Sequence, residues 1–204
     1  AARYNRLVGG PDPPRVGVLD LSGGIAGDMF LGALLDAGWT LEGLRGVVAA
    51  LGLEREVSVD ARRVRRHGFS VVQAVVEVRH DAGRHEAHAR PVSEILRRVE
   101  GSALPPAVRA RAAAVFRRLG EAEGKVHGVP ADRVHLHEAG GADAMVDIAG
   151  AVAGLDALSI RSLHAVGPVP LGRGTAAGAH GPVPLPAPAV LALLSGWEIA
   201  WTET

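Results

Sequence analysis

Residues 15–36 read RVGVLDLSGGIAGDMFLGALLD, and this stretch decides the fold class. Residues 15–21 are a short run of β-branched and leucine positions, and the glycine-rich Ser22 to Gly27 follows. Phe30, Leu31, Leu34 and Leu35 then recur at helical spacing. The pattern predicts a strand, a tight loop and a helix in direct succession. Gly38 stops that helix, and a second is expected over residues 41–51, where Gly43 and Gly46 each weaken it by roughly 1 kcal/mol.

Two β-rich runs come next, at 57–64 and 69–78, separated by Arg65-Arg66-His67-Gly68, a spacing suited to an antiparallel hairpin. Residues 80–90 are polar. Pro91 opens an expected helix to Glu100, and Pro105-Pro106 opens another to Glu123, with Val108, Ala112, Val115, Phe116 and Leu119 on one face. A brief strand at 134–137 leads through Gly140-Gly141 into a helix at 143–158. A strand at 164–169, a Gly/Pro-rich loop at 170–188, a helix at 189–194 and a strand at 197–201 complete the reading. These elements predict an α/β fold, a layered domain with a mixed sheet including one antiparallel hairpin. Residues 1–14, ending in Pro11-Asp12-Pro13-Pro14, are expected to be a loose N-terminal tail, and residues 15–204 one domain.

Composition narrows the chemistry. With 204 residues, 48% hydrophobic and 22% charged, the chain is long and apolar enough to bury a core. Cysteine is absent, which excludes disulfides, thiolate metal sites and a cysteine nucleophile. Lys125 is the single lysine, so a glycine-lysine phosphate loop cannot form. The formal net charge is zero, so nucleic acid and anionic membrane are not indicated as partners. No apolar run reaches the roughly 18–20 residues that span a bilayer, and a cytoplasmic location is expected. The arginines at 62, 63, 65 and 66 read as a solvated strand end.

Four places could carry chemistry. Asp20-Leu21-Ser22-Gly23-Gly24-Ile25-Ala26-Gly27-Asp28 joins a strand end to a helix start, where glycines permit close approach and free N–H groups favour phosphate or carboxylate. Its spacing is not that of a dinucleotide loop. Asp28 also suits an N-cap, whereas Asp20 ends what reads as a buried strand and needs a partner there. The second place is Val134-His135-Leu136-His137-Glu138 with Asp143 and Asp147. Alternation along a strand puts His135 and His137 on one face, and a helix puts Asp143 and Asp147 on one face. Imidazoles beside carboxylates suit nickel, zinc, iron or manganese. The plainer alternative has Asp143 capping its helix, Asp147 in solvent and the histidines hydrogen-bonded. The third place is the polar loop with His80, His85 and His88, which reads first as a solvated linker and second as a metal-capturing loop. The fourth is His180, in a proline-restricted loop, which by itself reads as a turn histidine.

The blocks DLSGGIAGDMFLGALLDAG, AEGKVHGVPADRVHLHEAGGADAMVDIAGA and GAHGPVPLPAPAVLALL, in this order across most of residues 15–195, resemble the N-terminal region of the LarC-type nickel-insertion proteins. The resemblance implies a nickel chelatase of the lyase class. Such a protein delivers Ni(II) into pyridinium-3,5-bisthiocarboxylic acid mononucleotide, closing two sulfur–nickel bonds and a carbon–nickel bond. For that chemistry the residues themselves offer Asp20 and Asp28 as catalytic groups and Ser22, Gly23, Gly24 and Gly27 as donors to the precursor's phosphate. His135, His137, Glu138, Asp143, Asp147 and His180 are the expected metal ligands. CTP with Mn or Mg is implied for a C-terminal nucleotide-binding domain and is not expected to bind these 204 residues. That C-terminal region and a nickel-pincer-dependent racemase or epimerase are the implied partners. From the residues alone, a metal-dependent hydrolase using a His-x-His site and a non-catalytic metal-binding module are alternatives. This sequence departs from the family pattern in its sparse central histidines and in stopping at Thr204.

Overall fold

The computed structural model describes residues 14–79, 90–136, 139–178 and 181–202. Strand β1 (Arg15–Asp20) leads through the glycine loop into helix α1 (Gly27–Asp36), and α2 (Leu41–Ala50) follows with Thr40 as its N-cap, accepting from the Gly43 N–H at 3.1 Å. The strand–loop–helix reading is met. The hairpin β2 (Val57–Arg66) and β3 (Phe69–Val78) extends further than its sequence suggested, because only His67 and Gly68 form the turn. Both have positive φ, at 48° and 87°, the two-residue geometry that matches strand twist.

A two-residue strand β4 (Arg90–Pro91) opens α3 (Val92–Glu100), and α4 (Pro106–His127) then runs a full turn past its expected end. It stops at Gly128, whose left-handed φ of 67° suits a C-cap glycine. Strand β5 (His135–Leu136) pairs with β4, and α5 (Ala142–Ala157) follows. Beyond it the sequence reading needs correction. The strand expected at 164–169 is two strands, β6 (Ile160–Val166) and β7 (Val169–Leu171), broken at Gly167. The expected loop at 170–188 contains the hairpin β8 (Gly174–Gly178) and β9 (Gly181–Leu185). Pro182 and Pro184 alternate in β9, so Gly181, Val183 and Leu185 are left to donate to the ladder, and the prolines fit an edge strand. Helix α6 (Pro188–Leu193) and strand β10 (Ile199–Trp201) close the described chain.

Helices and strands mix as an α/β fold requires, and parallel and antiparallel pairings both occur. Among the described residues they are distributed over two-stranded sheets, β1 with β6 and β7 with β10 parallel, the other pairs antiparallel. The core lies between the helices and one face of the β2–β3 hairpin, with Phe116, Leu31, Leu44, Leu53, Ile95 and Met145 fully enclosed. Helix α5 admits α1 and α2 closely because it is lined with small residues. A Cβ at Gly150 would lie 2.9 Å from Leu31 Cδ2, and one at Gly154 would lie 2.9 Å from both Leu34 Cδ1 and the Trp39 ring.

Two glycines in helix interiors therefore have opposite expected responses. Gly150→Val should destabilise the protein by about 1–3 kcal/mol through overpacking. Gly46→Ala in α2, where a Cβ meets nothing within 4 Å, should stabilise it by about 0.5–1 kcal/mol. Chemical denaturation of the two variants checks both signs, and a neutral Gly150→Val would show that α1 and α5 are not held this closely.

Candidate functional site

Helices α1 and α5 begin alike. Their N-cap residues, Ala26 and Gly141, have no capping side chain, and each helix carries an aspartate in its first turn, Asp28 and Asp143. Neither acid is the cap that its sequence context allowed. Asp28 Oδ1 accepts instead from the N–H of Met29 at 2.8 Å. A carboxylate in the first turn is favoured by the free N–H groups and the helix dipole, so both acids are placed without a partner side chain.

Asp147 lies one turn after Asp143 on the same face, and packing aims it at α1. A Cβ on Gly27 would strike the Asp147 carboxylate, so the glycine at this position makes room for that group. Asp28, Asp143 and Asp147 thus come to one pocket of about 310 Å³, closed on its other side by Arg62 and by Gln73 to Val76 of the hairpin. Burial pushes the Asp147 carboxyl up to about 6, with the charges of Asp143 and Asp28 adding to the rise. Its Oδ1 is buried and accepts no hydrogen bond from any described residue. A carboxyl held this way can take a proton near neutral pH or gain from an arriving cation. Among the described residues, however, no three His, Asp or Glu side chains are close enough to hold one metal ion.

The other expected residues stand elsewhere. Asp20 is exposed at the end of β1, not buried as the strand pattern suggested, because β1 belongs to a two-stranded ribbon whose Val16 and Val18 are themselves exposed. Its Oδ1 accepts from the Ser22 N–H at 3.0 Å, and this bond, with the Ser22 hydroxyl, holds its carboxyl below the usual range. Gly24, at φ 77°, donates its N–H to the Leu21 carbonyl at 2.8 Å and closes a turn. Two of the loop's donors are thereby engaged. His135 is exposed on β5 opposite Pro91. His137, Glu138 and His180 lie outside the described residues, as do His80, His85 and His88. Sequence reasoning missed Arg62 and Gln73, which face each other across the hairpin and reach the pocket. The alternation Arg62-Val64-Arg66 was the available signal.

The α/β scaffold thus brings three carboxylates to one pocket, one of them with a raised pKa and an unpaired oxygen, which makes this pocket the candidate site. The particular family follows from comparison. The chain belongs to the nickel insertion protein family, whose sequence pattern matches residues 18–204. It is 46% identical over 185 residues to a protein of Synechococcus sp. (strain JA-3-3Ab) named for nickel insertion, covering 91% of this chain and 45% of that one. Similarly named proteins of Citrifermentans bemidjiense and Roseiflexus castenholzii are 42% identical over 182 residues and 43% identical over 183 residues. Each alignment covers 89% of this chain, and 46% and 44% of those proteins respectively. The chain spans about half the length of the curated relatives it matches. No solved structure matches it. No helix among the described residues is long and apolar enough to cross a membrane.

The raised pKa gives a signed expectation. The folded protein holds the Asp147 proton more tightly than the unfolded chain, whose value is near 3.8. The associated stability is complete below about pH 4 and is lost as pH rises through about 6. Asp147→Asn should therefore melt at a higher temperature than wild type at pH 7, with the gap shrinking toward pH 4. Thermal melts across that range decide it, and an Asn variant that melts lower at pH 7 would show the charge to be stabilised in the fold.

Proposed function

We propose that this chain takes part in nickel insertion by delivering Ni(II) to pyridinium-3,5-bisthiocarboxylic acid mononucleotide, acting as the nickel-handling part of a chelatase. Membership of the nickel insertion family supports the cargo. The observation that carries the site is Asp147, held between Asp28 and Asp143 with an unpaired oxygen and a pKa of about 6. Forming a carbon–nickel bond releases the proton of the ring carbon, while the two thiocarboxylate sulfurs bind the metal as anions. Asp147 is the group suited to accept that proton, and the carboxylates of Asp28 and Asp143 the groups suited to draw the dication in.

In this reading the sequence pattern keeps His135, His137, Glu138 and His180 as nickel ligands, Asp20 as a second catalytic acid, and Ser22, Gly23, Gly24 and Gly27 as donors to the precursor's phosphate. A nickel-pincer-dependent racemase or epimerase would receive the product. CTP with Mn or Mg is not expected to bind these residues, since the single lysine, Lys125, lies in the last turn of α4 and not in a glycine-rich phosphate loop. The nucleotide belongs, in this proposal, to the part of the relatives that this chain does not match.

Two outcomes test the reading. In a full-length protein containing this region, Asp28→Asn and Asp147→Asn should fold and lose nickel insertion by roughly 10²–10⁴-fold, the range for a lost general base. Wild-type rates in both would remove the chemistry from this pocket. Replacing His135 and His137 together by alanine should weaken nickel binding measured by calorimetry, and wild-type binding should itself fall below about pH 6, since a coordinating imidazole must be neutral. Unchanged affinity in the double variant would take nickel away from this pair.

A further inference from the structure

Next to the acidic pocket lies a second and larger cavity, about 550 Å³, between α1 and the outer end of the β2–β3 hairpin. That volume falls in the range of small-molecule sites. Its sides are apolar, formed by Met29 and Ala33 of α1 and by Val64 and Val71 of the hairpin. The two hollows are neighbours, with Asp28 and Gln73 lining both. The space exists because α1 presents small residues here. Gly32 lies so close to β3 that a Cβ would sit 2.5 Å from the Val72 carbonyl oxygen, and Ala33 beside it leaves the cavity open.

The charges are unequally satisfied. Asp36 lines the cavity, but its Oδ1 is taken by Arg63 at 3.0 Å. Arg66 lines the same cavity and has no hydrogen-bond or ion-pair partner among the described residues. Directly across the hairpin from Arg66 stands Phe69, which is 73% exposed. An unpaired guanidinium on the wall of a largely apolar cavity, with an exposed ring opposite it in the strand register, is a recognition arrangement for a flat anion. The guanidinium can bind an oxyanion with two parallel hydrogen bonds, and the ring offers a stacking face.

We propose that this cavity binds a flat aromatic carboxylate, with its acid group on Arg66, its ring among Met29, Ala33, Val64 and Val71, and its inner edge turned toward Asp28. The site would orient an aromatic acid so that the edge away from Arg66 meets whatever the acidic pocket holds. This deepens the proposed function by assigning a seat to the aromatic body of the substrate. It rests on that function for the meaning of the inner edge, while the Arg66 end stands on its own geometry.

The probe is benzene-1,3-dicarboxylate, compared with the neutral benzene-1,3-dicarboxamide, titrated into the 204-residue chain by calorimetry without nickel. The dicarboxylate should bind, and the dicarboxamide should bind at least roughly 10-fold more weakly. Arg66→Ala should weaken the dicarboxylate by roughly 10- to 100-fold, the range for lost charge-assisted hydrogen bonds. Arg66→Lys should fall between, since it keeps the charge and loses the paired geometry. Ala33→Leu, which fills the cavity from an exposed helical position, should remove binding of both compounds with an unchanged circular dichroism spectrum. Arg65→Ala, on the opposite face of the strand, should change nothing. Absence of dicarboxylate binding by the wild type at millimolar concentration, or binding indifferent to both Arg66→Ala and Ala33→Leu, overturns the site. Nickel titrations of Asp143→Asn separate the two readings. Arg66-dependent probe binding with nickel affinity untouched by Asp143→Asn would sink the nickel pocket and leave the anion site standing.

Discussion

The close approach of α1 to α5 is the constraint on which the site depends. Along α5, Asp147, Gly150 and Gly154 form one stripe, and along α1, Gly27, Leu31 and Leu34 form the stripe that meets it. Leu31 is wholly buried and Leu34 nearly so. Their side chains occupy the space that a Cβ on Gly150 or Gly154 would need. Packing at this density leaves few alternative registers, because a shift of either helix would bring a leucine onto backbone. The same register brings the Asp147 carboxylate against Gly27. The half-buried acid is therefore a consequence of how the hydrophobic core closes.

Such an acid opposes folding. Asp147 shares its pocket with two other carboxylates, and its buried oxygen receives no donor from the described residues. Arg62 lines the pocket too, yet it forms no ion pair with any of the three. Departures of this kind from local satisfaction concentrate at functional sites, where an arriving ligand relieves them. A proton or an arriving positive charge relieves Asp147, and its binding would then stabilise the folded state by linkage. Hydrolysis by a His-x-His centre has no comparable support, since His135 is exposed and does not line the acidic pocket.

Much of this was legible in sequence, and the boundary follows from range. The strand–loop–helix of residues 15–36 and the pairing of Asp143 with Asp147 are local, set by alternation and helical spacing. The turn at His67-Gly68 was blurred by the run of arginines around it, which continues the strand because long charged side chains tolerate an exposed ladder. The β8–β9 hairpin was hidden by Pro182 and Pro184, whose usual meaning is loop. That Asp28 joins Asp143 and Asp147 required the register of α1 on α5. The information lay in Gly150 and Gly154, which look like ordinary weak spots in a helix until their neighbours are known. Arg66 was unreadable for a similar reason, since its significance depends on Asp36 being claimed by Arg63.

One ion pair ties the remaining candidate segments to this frame. Arg90 is only 14% exposed in its side chain and donates to Glu56 and, at 3.1 Å, to the Gly140 carbonyl. Glu56 also accepts from Arg98 at 3.0 Å, and its backbone carbonyl accepts from the Arg79 N–H at 2.7 Å. Arg79 and Arg90 flank residues 80–89, and Gly140 directly precedes the N-cap of α5. Arg79, Arg90 and the turn at Gly140 are thus fastened to one half-buried network. Breaking it at Glu56 would strand the Arg90 guanidinium in a place that water barely reaches, a heavier penalty than losing an exposed pair. The strain would pass through Gly140 to the first turn of α5, where Asp143 sits. Arg90 and the turn at Gly140 before α5 therefore meet in one network centred on Glu56, although they lie fifty residues apart in sequence.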